Sequence, residues 1–148
     1  MTEILFYHLE QATLESVLPG LLEKTIERGW KAVVRVGSKE RVEALDALLW
    51  TFKDEAFIPH GAGPEGADQP VWLTTSDDMP NEPDLLFLVD GAAADPARIN
   101  ELKRCVMIFN GAEDTAVSDA RVFWKASAGA GHDVTYWKQS PEGRWEKQ

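Results

Sequence analysis

"DLLFLVD" (Asp84–Asp90) sets five consecutive apolar side chains between two aspartates. A strand covered on one face alternates apolar and polar positions, so an unbroken apolar run of this length calls for cover on both faces, as in a central parallel strand. "CVMIF" (Cys105–Phe109) has the same character. Outward from these two runs, "EILFYHL", "KAVVRV" and "VWLTT" read as further strands, alternating with amphipathic segments. The pattern predicts an α/β chain with a mostly parallel central sheet between two helical layers. A helix is expected from about Thr13 to Arg28 and closed by Gly29, with Pro19 and Gly20 bearing on its start or straightness. Ser38 can cap the next helix, whose Val42, Leu45, Leu49 and Phe52 form a stripe at 3.6-residue spacing. Asp54 to Pro70 reads as a loop, a last helix runs from about Thr115 to Ser127, and "DVTYWKQSPEGRWEKQ" pairs with itself through a "PEG" turn.

The chain has 148 residues, 44% of them hydrophobic, which suits one globular domain over residues 1–148. A net charge of −10 argues against direct binding of nucleic-acid phosphates. Cys105 is alone, so it offers neither a disulfide nor a paired metal or redox motif, and a reducing cytoplasm is the consistent compartment. "MTEILFYHLEQ" lacks the basic start and long apolar run of a targeting segment, and no segment nears the roughly 18 apolar residues of a membrane span. A soluble, unprocessed protein is expected.

Catalytic readings fail on context. "GAGPEG" (Gly61–Gly66) matches the spacing of a dinucleotide-binding loop, but it follows "FIPH" and leads into a strand instead of opening a helix. Pro64 lacks an N–H and Glu65 would repel phosphate, so a plain loop is the better reading. His8, His60 and His132 lie in no metal-ligand spacing and read as solvated or capping residues. Asp90 ends a strand, where α/β enzymes place carboxylates, yet Asp-Gly is a common turn. Nothing assembles a nucleophile, a base and an oxyanion site, and no cofactor or metal is expected.

Two stretches look like surfaces instead. In "LWTFKDEAFIPHG" (Leu49–Gly61), Trp50 projects roughly 130° from the helix stripe, while Phe57, Ile58 and Pro59 stand in a loop. The cluster is either an interface with Trp50 as anchor or a loop folded back over that indole. In "TAVSDARVFWKASAGAG", Ala116, Ala120 and Phe123 make the inward stripe; Val117, Arg121 and Lys125 align on an adjacent face with Trp124 at its boundary. Residues 121–148 carry Arg121, Lys125, Lys138, Arg144 and Lys147 against Asp133, Glu142 and Glu146, a net positive end on an acidic chain. The cationic face is either a binding groove or an ordinary solvated helix end complementing the dipole.

"FYHL", "LDALLWTFKDEAFIPHG", "LFLVDGA", "ARVFWK" and "YWKQ" together resemble the chi subunit family of bacterial DNA polymerase III holoenzyme, over nearly the whole chain and most specifically in the middle segment. The resemblance implies a single-domain Rossmann-like fold with no nucleotide site and a non-catalytic adaptor of the clamp-loader assembly. It assigns Trp50, Phe57, Ile58 and Pro59 to a surface for the psi subunit, shared with a repair helicase. It assigns Val117, Arg121, Trp124 and Lys125 to a site for the acidic C-terminal tail of single-stranded DNA-binding protein. Val117 departs from members with Lys at that position, implying one cationic contact fewer, and "SPEGRWEKQ" extends past the shorter members. The competing reading is a Rossmann-like nucleotide-binding enzyme.

Overall fold

The structure, a computed structural model, describes residues 2–51, 60–62, 69–77, 79, 81–99 and 101–148. Eight strands form one sheet: β1 (Glu3–Leu9), β2 (Ala32–Val36), β3 (His60–Ala62), β4 (Val71–Thr74), β5 (Leu85–Val89), β6 (Arg104–Asn110), β7 (Asp133–Gln139) and β8 (Trp145–Lys147), in the order β3-β4-β2-β5-β6-β1-β7-β8. Every pairing is parallel except β7 with β8, a hairpin closed by the expected turn, where Gly143 takes φ 87°. The helices are α1 (Leu14–Glu27), α2 (Lys39–Thr51) and α3 (Asp114–Gly129).

Connection handedness sorts the helices into layers. The chain moves in one direction across the sheet from β1 to β2, and in the opposite direction from β6 to β7. Right-handed crossovers therefore place α1 and α3 on opposite faces. The core divides accordingly. Leu14, Leu18 and Leu22 of α1 and Val42, Leu45 and Leu49 of α2 pack on Val34, Phe87 and Val106; Ala120 and Phe123 of α3 pack on Ile4, Phe6, Leu86, Leu88 and Met107. All five apolar residues of β5 are buried, because alternate side chains enter alternate layers. This is a Rossmann-like α/β architecture.

Local signals set the helix ends. Thr13 and Ser16 form a reciprocal capping box at the start of α1, which continues through the buried Pro19. Ser38 Oγ accepts from the Arg41 N–H at 3.3 Å, as its position before α2 predicts. One expectation is corrected: His60–Ala62 is not loop but a short edge strand in parallel register with Val71–Leu73. His-Gly-Ala has little strand propensity of its own, and pairing with β4 imposes the conformation. Phe52, Phe57, Ile58, Pro59 and Gly63 to Gly66 lie outside the described residues.

Candidate protein-interaction surfaces

In an open parallel sheet, ligands enter at the carboxyl ends of the strands where connections diverge. Here that position is a cavity of about 780 Å³ lined by Glu10, Glu15, Asp90, Glu113 and Asp119. Arg41 is the cation in its lining, and it is already committed: Nε donates to Asp90 Oδ2 at 2.9 Å and Nη2 to the Glu15 carboxylate. Asp90 sits in the Asp-Gly turn at φ 51°, in keeping with the turn reading. So acidic a crevice repels phosphates.

The loop that would hold a phosphate is also filled from within. After β1 the backbone N–H groups of Glu10, Gln11 and Ala12 converge, the arrangement that makes an anion cradle ahead of a helix. All three donate to Gln139 Oε1, at 3.2, 2.8 and 2.9 Å. Gln139 Nε2 in turn donates to Gly143 O at 3.3 Å, fastening the terminal hairpin to the β1–α1 loop. Among the described residues no group of His, Cys, Asp or Glu is placed to hold a metal ion, and burial pushes the Cys105 thiol up to about 12.

The histidines correct a second expectation: all three are buried rather than solvated. His132 accepts from the Thr2 N–H through Nδ1 at 3.2 Å and donates to Pro96 O through Nε2 at 2.7 Å. His8 Nδ1 meets the Tyr136 hydroxyl at 2.6 Å, and its Nε2 lies 2.9 Å from Glu10 Oε1 without hydrogen-bond geometry. Burial, outweighing Glu10, holds the His8 imidazole below its usual pKa, which makes it neutral near pH 7. A Cβ at Gly111 would stand 1.9 Å from His8 Nε2, so only glycine lets the chain pass there.

Helix α3 presents two flanks. Phe123 packs inward on Phe6 with the rings tilted and their centroids 5.8 Å apart, and Phe6 stacks on the Tyr136 ring of β7 at 5.9 Å. On the β7 side, Val117 is half-buried with Val134 and Tyr136, while Arg121 and Lys125 are exposed and Trp124 is 44% exposed. Neither cation forms an ion pair or a side-chain hydrogen bond among the described residues. Arg121 lies close enough to Tyr136 to lower its phenol pKa, against a larger rise from burial. The structure thus has Val117 and Arg121 near Tyr136 of β7, with Trp124 and Lys125 exposed on the next turn of α3. The opposite flank carries Val122, 67% exposed, above an apolar groove floored by Met107 and walled by Ala92 to Ala94.

At the other end of the sheet, Trp50 is 57% exposed on the outer side of α2, as its helical phase predicts, with its ring 4.6 Å from that of His60. His60 is buried beneath it, Nε2 lying 3.2 Å from Asp46 Oδ1. The three other residues of that cluster, Phe57, Ile58 and Pro59, lie outside the described residues.

The family model described as DNA polymerase III chi subunit, HolC, matches residues 1–135. The chain belongs to that family. A probable DNA polymerase III subunit chi of Rickettsia prowazekii is 25% identical over 99% of this chain and 92% of its own length. The DNA polymerase III subunit chi of Pseudomonas aeruginosa is 34% identical over 59% of this chain and 63% of its own. Membership of the chi family makes this an accessory subunit of the replicative polymerase. Gln139, Tyr136 and Val122 are not among the residues singled out from sequence, and the structure puts them against the β1–α1 loop, beside His8 and on the exposed flank of α3 respectively. Gln139 stands in "YWKQ", but a glutamine ending a strand carries no pattern that reveals a partner loop 127 to 129 positions earlier.

Proposed function

We propose that this chi-family chain is a non-catalytic adaptor of the clamp-loader assembly, working in the cytoplasm, which uses α3 to bind the acidic C-terminal tail of single-stranded DNA-binding protein. The observation that carries this reading is the exposed Arg121 and Lys125, free of carboxylate partners among the described residues, beside an exposed indole and the apolar Val117. A tail carboxylate would accept charge-assisted hydrogen bonds from Arg121 or Lys125, and a terminal aromatic would rest against Trp124. Contact with DNA then passes through a protein already coating it, which reconciles a net charge of −10 with work on single strands. Each tail binds weakly alone, and avidity along a coated strand supplies the strength. The nucleotide-binding alternative is disfavoured by the acidic crevice and by the cradle that Gln139 fills.

Arg121→Ala and Lys125→Ala are each expected to weaken binding of a tail peptide by about 1–3 kcal/mol, the scale of a lost charge-assisted contact, without changing the fold. Added salt should weaken it further. Calorimetric titration that finds both variants equal to the parent would overturn the assignment.

Trp50, with Phe57, Ile58 and Pro59, is proposed as the surface for the psi subunit and for a repair helicase. Trp50→Ala should weaken capture of psi by about 2 kcal/mol or more, as an anchor indole does, and lower folding stability by about 1 kcal/mol or less. Tail binding should survive the change, because α2 and α3 lie on opposite faces of the sheet. A large drop in melting temperature would assign Trp50 to the core instead.

A further inference from the structure

The face covered by α1 and α2 holds a groove that none of these roles uses. Along the flank of α1, two cavities of about 210 Å³ each lie side by side, sharing Tyr7, Leu21 and Lys24 in their walls. The inner one is floored by Leu5, Phe87 and Val106 and rimmed by Lys24, Arg28 and Arg104. Trp145 of the terminal hairpin walls the outer one, its ring 5.1 Å from Tyr7 and edge-on to it. This gives the "SPEGRWEKQ" extension a structural role: β8 turns an indole back onto β1.

The rim is cationic in a chain of net charge −10. The Arg28 guanidinium is held 5.1 Å from the centre of the Trp30 ring, with Lys103 and Arg104 at 5.4 and 5.5 Å from the same ring. Arg104 and Lys103 are already paired, at 2.6 Å with Glu3 and 3.3 Å with Asp84. Lys24 and Arg28 are exposed and form no ion pair or side-chain hydrogen bond among the described residues, and the Tyr7 hydroxyl has no hydrogen-bond partner among them. Two unpaired cations and a free hydroxyl thus surround apolar cavities sized for side chains.

We infer that this groove binds an acidic, apolar-anchored segment of a partner protein, with one apolar side chain in each cavity and carboxylates against Lys24 and Arg28. A phosphodiester backbone fits less well, since it needs a line of free cations and here two of the four are neutralised by Glu3 and Asp84. The open side suits a peptide laid along α1, and guanidinium preorganised over an indole loses little freedom on pairing. The site is independent of the α3 reading, from which the sheet separates it.

The test uses the full chain and a fluorescein-labelled peptide that alternates aspartate with phenylalanine and leucine and ends in an amide, so that it lacks the free carboxylate proposed for the α3 site. Fluorescence anisotropy should show saturable binding, weakened about tenfold or more in a Lys24→Ala/Arg28→Ala variant, the scale of losing charge-assisted contacts. Replacing aspartate by asparagine in the peptide should weaken binding similarly, and Arg121→Ala should leave it unchanged. Both substituted side chains are exposed, so the thermal melt of the double variant should stay close to the parent's, the lost Arg28–Trp30 contact costing little at an exposed site. No binding, binding indifferent to the double variant, loss in Arg121→Ala, or equal displacement by an oligothymidine strand would each overturn the inference.

Discussion

Gln139→Ala is expected to destabilise the protein by about 2–4 kcal/mol, because it removes the one oxygen on which three backbone N–H groups converge. Water can reach part of this site and relieve some of the loss, which is why the figure stays below the sum of three orphaned donors. The terminal hairpin should loosen as well, since Gln139 Nε2 no longer reaches Gly143 O. Gln139→Glu separates the acceptor from mere packing: a carboxylate still receives the three N–H groups and should retain most of the stability. A melt of Gln139→Ala equal to the parent's would show that these hydrogen bonds contribute nothing to stability.

The parts of the fold legible in the sequence were those governed by local chemistry. The apolar runs of β5 and β6, the stripe Val42, Leu45 and Leu49, and the cap at Ser38 are read from neighbours along the chain, and the structure has each in its expected place. His60–Ala62 was not legible, because its strand character comes from β4 across the sheet edge. The histidines misled for the same reason: His132 is anchored by Thr2, 130 positions away, and Pro96, and no local pattern carries that information. On α3, helical phase grouped Val117, Arg121 and Lys125 with Trp124 at their edge, and the structure has Arg121, Trp124 and Lys125 exposed and Val117 half-buried. The contribution of Tyr136 required knowing that β7 crosses to lie beside β1. The cationic groove around Trp30 joins α1 to β6 residues some 80 positions away, and was beyond any reading of periodicity.

Arg35→Met should have the largest effect, a loss of about 3–5 kcal/mol, the range for breaking a buried charged group's interactions from one side. Arg35 sits mid-sheet on β2 between Thr74 of β4 and Leu88 of β5, with 6% of its surface exposed. Burial lowers its pKa, and Asp77, 3.9 Å away, works in the opposite direction; a guanidinium nonetheless remains charged at any working pH. Its donors hold two separate loops at the carboxyl ends of the strands. Nε donates to Ser76 O at 3.0 Å and Nη2 to Asp77 O at 3.2 Å, while Nη1 donates to Ala93 O at 3.0 Å. Methionine matches the aliphatic stem but removes the hydrogen bonds that Arg35 donates to three carbonyls, so the penalty falls on the loops rather than on the apolar packing. The segment from Ala92 to Ala94 forms one wall of the groove beside Val122, and it should exchange its amide hydrogens faster in Arg35→Met while β5 and β6 stay protected. Arg35→Lys supplies one compact charge in place of a planar fork and cannot reach both loops, so it should recover only part of the loss. Urea unfolding that places Arg35→Met within about 1 kcal/mol of the parent would mean that the loops hold their positions without the arginine, the magnitude expected of an ordinary surface substitution.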